Sequence, residues 1–314
     1  MDWQELQNLR SKYLKSLGST TPDYWSAELL ASYDCTFGAR IGWKWDSVVV
    51  DICEKFSLPE NMSVLDWGCG SGVASRALLK NFAGNIKEVY HWDRSLEAVE
   101  YSIKKAEEKF PDTKHSRWNG SKPAGPLMVL ISHVMTELDE RDFGELVSLI
   151  RDYADLLIWV EPGTKEVGQK LGQVHDKLLE TFLVLGPCTH QLKCPLAGSD
   201  VEQKDWCHFF ADCPSHVFQS AHWQQFKDEL GVDLRSLPVS YLSLAKPCFV
   251  EKKVSDEGIN RILGRVRAYK GHCKMLACGP HGVSEHVIQK RDDKKEFKRL
   301  CRGGFADRYL PNHL

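Results

Sequence analysis

The run Val64-Leu65-Asp66-Trp67-Gly68-Cys69-Gly70-Ser71-Gly72 constrains this chain more than any other. Apolar residues and a carboxylate end a strand. Three glycines at alternate positions then turn the backbone into a helix that carries Val73, Ala77 and Leu78. Glycine adopts backbone angles closed to other residues and puts no Cβ between the chain and a ligand. The free amides that open the helix favour a carboxylate or phosphate. The next strand closes on His91-Trp92-Asp93, with Asp93 21 positions beyond Gly72, where a carboxylate can accept both hydroxyls of an adenosine ribose.

Around this loop, from residue 63 to about 187, strand and helix patterns alternate, as in a parallel sheet covered on both faces. Strands are expected at 64–67, 86–92, 114–118, 127–132 and 156–161, with a late strand at 239–244. Leu96, Val99, Ile103, Ala106 and Phe110 recur at steps of three and four, which predicts an amphipathic helix over 95–110. Residues 1–60 read as a helical N-terminal region. It has an aromatic-rich segment from Tyr24-Trp25 to Trp43-Lys44-Trp45, an apolar face at Val48, Val49, Ile52 and Phe56, and a break at Pro59. Residues 61–247 form the core, with a Cys-, Pro- and Gly-punctuated insertion at 188–215. Residues 248–314 read as a small basic β-rich module.

Composition excludes a disordered, collagen-like or membrane-spanning protein: 42% of the 314 residues are hydrophobic and 27% charged, and mean hydropathy is −0.36. Residues 1–18 lack the apolar centre of a signal peptide and the acid-poor, Arg-rich character of a transit peptide, so they read as a helix of the mature protein. The expected location is cytoplasmic, or mitochondrial for a processed eukaryotic protein. The net charge of −2 is unevenly spread. Residues 251–314 carry 15 Lys and Arg against 8 Asp and Glu, net +7, leaving the first 250 residues at −9. Such asymmetry points to an anionic partner, above all nucleic acid, with a solvated basic surface as the plainer alternative.

The glycine spacing separates two cofactor classes. Dinucleotide sites use G-x-G-x-x-G, whereas here Asp66 precedes G-x-G-x-G, which resembles the class I S-adenosylmethionine-dependent methyltransferases. That resemblance implies an α/β, Rossmann-like core in which Asp66, Gly68, Gly70 and Gly72 line the methionine end of the cofactor. It also implies that Asp93 binds ribose and that Asn119 lies near adenine, although Asn119-Gly120 is equally a good turn pair. NAD binding and a ligand-free turn are the competing readings. The segment after the fourth strand, residues 131–138, normally faces the transferred methyl. It lacks both the Asn/Asp-Pro-Pro-aromatic motif of base-amine methylation and the Pro-Cys nucleophile of cytosine C5 chemistry. His133 is the candidate catalytic residue, as base or substrate hydrogen-bonder, against a structural histidine at a strand end. Glu161, before Pro162-Gly163-Thr164, is a further candidate to face the cleft.

Eleven cysteines in a chain without a secretory signal argue for thiols or metal ligands over a disulfide scaffold. Cys188, Cys194 and Cys207 follow C-x5-C-x12-C, with Cys213 and Cys278 further on, an arrangement foreign to common zinc ribbons. An iron–sulfur cluster suits Cys-Pro loops plus one remote thiolate. Cys53, Cys69 and Cys248 read instead as buried, unligated thiols.

Taken with Ser132-His133-Val134, Val160-Glu161-Pro162-Gly163-Thr164, Gly186-Pro187-Cys188-Thr189-His190, Cys194-Pro195-Leu196 and Asp205-Trp206-Cys207-His208-Phe209, the chain resembles a methyltransferase-like family. That family is associated with the mitochondrial small ribosomal subunit and includes bacterial counterparts; the resemblance runs from about residue 24 to 310. It implies a [4Fe–4S] cluster on Cys188, Cys194, Cys207 and Cys278, with zinc as the alternative metal and His190 and His208 behind the ligands. It also implies association with small-subunit rRNA during assembly. Cys213 is a surplus candidate ligand, and Phe305-Ala306-Asp307 stands where the family has Trp-Gly-Asp. The leading expectation is an S-adenosylmethionine-dependent methyltransferase-like protein acting on or beside small-subunit rRNA, monomeric and without a membrane partner. A non-catalytic assembly factor holding cofactor and cluster is the alternative, and a small-molecule methyltransferase the third reading.

Overall fold

A computed structural model describes residues 1–15, 25–53, 56–198, 204–250, 258–305 and 307–310; Tyr24 and Ala306, named above, lie outside the described residues. In chain order the elements are α1 (Trp3–Lys15), α2 (Ala27–Tyr33), α3 (Ala39–Cys53), β1 (Met62–Trp67), α4 (Val73–Phe82), β2 (Ile86–Trp92), α5 (Leu96–Lys109), β3 (Lys114–Arg117), β4 (Leu127–Ser132), α6 (Glu140–Tyr153), β5 (Leu156–Pro162), α7 (Lys165–Leu178), β6 (Leu183–Gly186), β7 (Phe209–Phe210), α8 (Ala221–Leu230), β8 (Pro238–Ala245), β9 (Asn260–Ala268), β10 (His272–Gly279), β11 (Gly282–Gln289), α9 (Lys294–Arg302) and β12 (Arg308–Tyr309). They fall into two units, Met1–Glu161 with Asp212–Leu237, and Pro162–Ala211 with Pro238–Leu314.

The first unit holds a parallel sheet in the order β3-β2-β1-β4-β5, the α/β Rossmann-like core expected from the loop. Every residue of β1 is buried, as are the first five of β4 and the first six of β5. Strands covered on both faces read as unbroken apolar runs, which made them visible in sequence. From β1 the chain moves outward through β2 and β3, then returns to place β4 on the other side of β1, with Trp67 opposite Ile131. Such a reversal opens a crevice at the carboxyl ends of the two strands. Ser95 caps α5 by accepting from the Ala98 amide. The helix buries Ala98, Val99, Ser102 and Ala106, while Leu96, expected on that face, is 44% exposed because it sits at the first helical position, before the stripe meets the sheet.

The N-terminal helices form a second core in this unit. Leu6 and Leu9 of α1 and Leu29 of α2 pack with Val217, Trp223, Phe226, Leu230 and Leu234, and Cys213, Phe37 and Trp43 line its edge. Arg40 Nη2 ties α3 to the carbonyl of Ser236 at 3.1 Å. At about 1.5–3 kcal/mol per fully buried large apolar side chain, this cluster outweighs any single cap or hydrogen bond near 1 kcal/mol. Between α2 and α3, residues Asp34–Gly38 form a π-turn, which no sequence pattern announced.

In the second unit, β8 pairs antiparallel with β6 and with β7, Val184 opposite Leu244 and Phe209 opposite Val239. The insertion therefore contains a short strand, and β6 is an element that periodicity missed. A separate antiparallel sheet runs β11-β10-β9-β12. Cys273, Met275 and Ala277 alternate inward along β10 and meet Phe297 and Leu300 of α9. Of the cysteines read as buried, Cys69 is buried, whereas Cys53 and Cys248 are exposed: Cys53 ends α3 and Cys248 lies in a surface 3₁₀ turn, Pro247–Phe249. Among the described residues no helix is long and apolar enough to cross a membrane.

Candidate functional site

The glycine loop lies at the carboxyl end of β1. Gly68, Gly70 and Gly72 all have left-handed backbones, with φ of 69°, 49° and 77°. The amides of Gly68 and Cys69 donate to the carbonyl of Trp92 at 2.8 and 2.9 Å, tying the loop to the end of β2. Asp93 completes the tie: Oδ2 accepts from the Gly70 amide at 2.8 Å and Oδ1 from the Ser95 amide at 3.0 Å. A Cβ on Gly72 would stand 2.3 Å from Ser102 Oγ and one on Gly68 2.6 Å from Val134 Cγ1, whereas one on Gly70 meets nothing within 4 Å. Packing therefore demands glycine at two positions, and the third faces open space.

Asp66 is fully buried. Its Oδ2 accepts from the Ser75 amide at 3.2 Å, and its Oδ1 has no hydrogen-bond partner among the described residues. Burial pushes its pKa up to about 7, against the hydrogen bonds from Ser75. An unpartnered buried carboxylate oxygen suits an ammonium group. Asp93 is likewise raised by burial, opposed by the amides of Ser95 and Gly70. Asn119 is exposed, and its Oδ1 accepts from the Ser121 amide at 2.9 Å, forming the turn that Asn-Gly pairs favour. Sequence reading missed Asp34 and Arg76. Asp34 Oδ1, on the π-turn, accepts from Ser71 Oγ at 2.9 Å and pairs with Arg76, which also donates to the Ser71 carbonyl. A charge pair 42 residues apart leaves no local signal.

A polar cluster occupies the adjoining ends of β4 and β5. His133 holds a left-handed backbone, φ 58°, and its Nε2 lies 3.4 Å from Nζ of Lys44 on α3. Burial, reinforced by the charge of Arg40 and opposed by Glu161, lowers the Lys44 pKa to about 7. His133 is driven well below its ordinary value by burial and by Lys44, so its ring is uncharged at neutral pH. Glu161 is fully buried, and its Oε1 accepts from the amides of Val134 and Met135 at 3.0 and 3.1 Å and from Trp159 Nε1 at 2.7 Å, pinning the turn that follows β4. Its Oε2 has no partner among the described residues, and burial raises its pKa to about 7. Lys44 was visible in sequence only as the middle of an aromatic pair.

In the second unit, Cys188, Cys194 and Cys207 lie on loops and Cys278 on β10. Burial raises all four thiols, Cys278 to about 12, and the Cys207 thiol is raised further by Cys188, Cys194 and Cys278. Asp176 Oδ1 anchors the Cys194 amide at 2.7 Å. His208 stacks on Trp206 with centroids 4.5 Å apart, and His190 Nδ1 accepts from the Leu192 amide at 3.2 Å. Among the described residues no three His, Cys, Asp or Glu side chains stand as a ready ligand set for one ion. Cys213 belongs to the first unit, at the edge of the N-terminal core.

A family model described as mitochondrial small ribosomal subunit Rsm22 matches residues 47–309. No curated protein matches the chain in sequence. Among solved structures, it is similar to a candidate RNA methyltransferase from Pyrococcus horikoshii, at 14% identity, covering 81% of this chain and 100% of that one, with a TM-score of 0.38. It is also similar to a SAM-dependent methyltransferase from Aquifex aeolicus at 16% identity, covering 52% and 92%, TM-score 0.35. A third is magnesium protoporphyrin IX methyltransferase from Synechocystis with bound SAH, at 14% identity, covering 78% and 100%, TM-score 0.40.

Proposed function

The chain belongs to the family described as mitochondrial small ribosomal subunit Rsm22, and on that premise we propose a methyltransferase-like protein that binds S-adenosylmethionine and works on or beside small-subunit rRNA in the mitochondrial or bacterial setting of that family. The reading is carried by the crevice between β1 and β4, where the unpartnered oxygen of Asp66, the open side of Gly70 and the carboxylate of Asp93 lie on one tied loop. These residues suit the group: Asp66 meets an ammonium, and the loop at Gly68, Gly70 and Gly72 leaves room for the methionine chain. Each oxygen of Asp93 keeps a lone pair for a ribose hydroxyl beyond the amide it already accepts, and the amide nitrogen of Asn119 is left for adenine. When bound, S-adenosylmethionine supplies an electrophilic methyl group. The uncharged ring of His133 then serves as acceptor for the proton an N–H or O–H substrate loses, and Glu161 holds the turn that aims it.

Cys188, Cys194, Cys207 and Cys278 are the proposed ligands of a [4Fe–4S] cluster, with zinc the competing metal. Four soft, half-buried thiols within one unit support this, and His190 and His208 steady the loops behind them. Cys213, packed with the N-terminal helices, takes no part. The basic C-terminal stretch faces rRNA phosphate. The absence of both known base-methylating motifs after β4 favours a second reading, in which the protein binds cofactor and cluster as a non-catalytic assembly factor.

Calorimetry with S-adenosylmethionine tests the first claim. The wild-type chain should bind, and Asp66→Asn and Asp93→Ala should each weaken binding about 10- to 100-fold, since a charge-assisted hydrogen bond contributes about 1.5–3 kcal/mol. No binding, or equal affinity in both variants, overturns the assignment. Tritium transfer from labelled S-adenosylmethionine to purified small subunits at successive assembly stages separates the readings: binding without transfer identifies the non-catalytic factor.

A further inference from the structure

The hairpin that joins β9 to β10 carries chemistry that neither the cofactor crevice nor the cysteines use. Residues 259–284 hold five Lys and Arg and no Asp or Glu. At the tip, the Tyr269 amide donates to the His272 carbonyl at 2.9 Å, closing the turn over Lys270 and Gly271. The Lys290 amide, just after β11, fastens that strand to the Gly271 carbonyl at 2.9 Å. The rings of Tyr269 and His272 stack, with centroids 4.7 Å apart and planes 10° from parallel. Tyr269 is nevertheless 47% exposed. Cys273, Met275 and Ala277 alternate from β10 toward α9, so His272 and Lys274 lie on the opposite face of the strand. There Lys274 stands in register with Arg267 of β9. Those two cations share Glu285 of β11, whereas Lys270, at the turn, is exposed and makes no ion pair among the described residues.

A ring pair across a hairpin can serve the hairpin alone. Two observations point beyond that: the Tyr269 ring stays half exposed, and the segment around it is cationic without a carboxylate. An exposed aromatic face draws a nucleic-acid base and neighbouring cations hold the phosphate. Unpaired RNA is the form such rings read, because in a duplex the base faces are already covered by their neighbours. His272 holds the Tyr269 ring in place, so a base that joins the stack orders no further protein side chain. An acidic protein segment would satisfy the cations but leave the ring without a partner. We propose that Tyr269, supported by His272, is a stacking platform for one base of single-stranded RNA, and that Lys270 holds the phosphate beside it. The inference rests on the rRNA reading above and deepens it: the RNA that meets this hairpin is unpaired.

The test uses the full chain as wild type, Tyr269→Ala, Tyr269→Leu, Tyr269→Phe and Lys270→Ala. Fluorescence anisotropy reads binding to a labelled, unstructured single-stranded RNA of mixed sequence, to the same strand annealed to its complement, and to the same strand with abasic sites, each over a range of salt. Tyr269→Ala should weaken single-strand binding about 5- to 150-fold, the span of one stacked base. Tyr269→Leu, which keeps apolar bulk at the turn without a π face, should lose as much, and Tyr269→Phe should bind as wild type does. Neither loss should change the salt slope, whereas Lys270→Ala should lower it by up to about one, for one phosphate contact. Abasic and duplex RNA should bind more weakly than the single strand and be indifferent to Tyr269→Ala. Wild-type affinity in Tyr269→Leu overturns the platform, and so does an equal loss on abasic or duplex RNA, which leaves the ring a support of the hairpin. A loss seen with assembled small subunits but not with free RNA marks a protein partner and overturns it likewise. A wild-type chain that binds no RNA in any of the three forms overturns the rRNA reading and this inference with it.

Discussion

Gly70 and Gly72 have the same backbone hand in different surroundings. Alanine at either position pays about 1–2 kcal/mol for a left-handed conformation. At Gly72 the new methyl also meets Ser102 Oγ, and overpacking of that kind adds about 1–3 kcal/mol. Gly72→Ala should therefore lower unfolding free energy in urea more than Gly70→Ala does. Affinity for S-adenosylmethionine should respond in the opposite order, relative to the stability lost, because the Gly70 methyl enters the space left for the ligand. Equal stability losses would contradict the packing account, and an unaltered affinity in Gly70→Ala would contradict the ligand account. His133 extends the argument. A histidine kept at φ 58°, where glycine would be unstrained, marks a position whose side chain matters.

At the scale of elements, β2, β3 and α5 share a buried histidine pair. His91 is fully buried, with Nδ1 2.7 Å from Ser102 Oγ and Nε2 3.2 Å from His115 Nδ1. Burial, then the charges of His115 and Arg76, lowers its pKa from 6.5 to about 3. Between those values the unfolded chain binds a proton that the folded chain refuses, so stability falls as pH drops below 6.5. From pH 6.5 to 5 the loss from this group is about 1.5 kcal/mol, since the full 1.36 kcal/mol per unit is reached only well below 6.5. His91→Gln should flatten the dependence of the urea midpoint on pH over that range; parallel curves for variant and wild type would exclude the pair as its source. The strands themselves were legible because central parallel strands are unbroken apolar runs, and α5 because its stripe repeats. The four-residue β6 is too short for a period, and the placement of Leu96 outside the buried face depends on where the sheet begins, which periodicity does not report.

For the whole molecule, the excess of positive charge after residue 250 is partly spent inside the fold. Arg267 and Lys274 share Glu285, Arg299 is held by Glu296 and Asp307, and Arg265 lies 3.9 Å over the ring of Phe210. Lys294, Lys298 and Arg302 instead recur every fourth residue along α9 and are exposed. They form the stripe best placed for phosphate. Replacing all three by alanine should weaken binding to small-subunit rRNA and lower the salt slope by up to about three, one per lost phosphate contact, with little change in melting temperature. An unchanged slope would place the RNA contacts elsewhere. The sequence by itself determined the glycine loop, the strand runs, the stripe of α5 and the basic tail, because each depends on backbone angles, periodicity or charge that neighbouring residues carry. Only the tertiary structure decided that Lys44 meets His133, that Glu161 pins a turn, that Asp34 and Arg76 brace the loop, that Cys213 joins the N-terminal core, and that Arg261 stands opposite Cys278. The charge and reach of each group are set there by burial against residues far away in the chain, and no local pattern encodes which distant side chain will share a buried site.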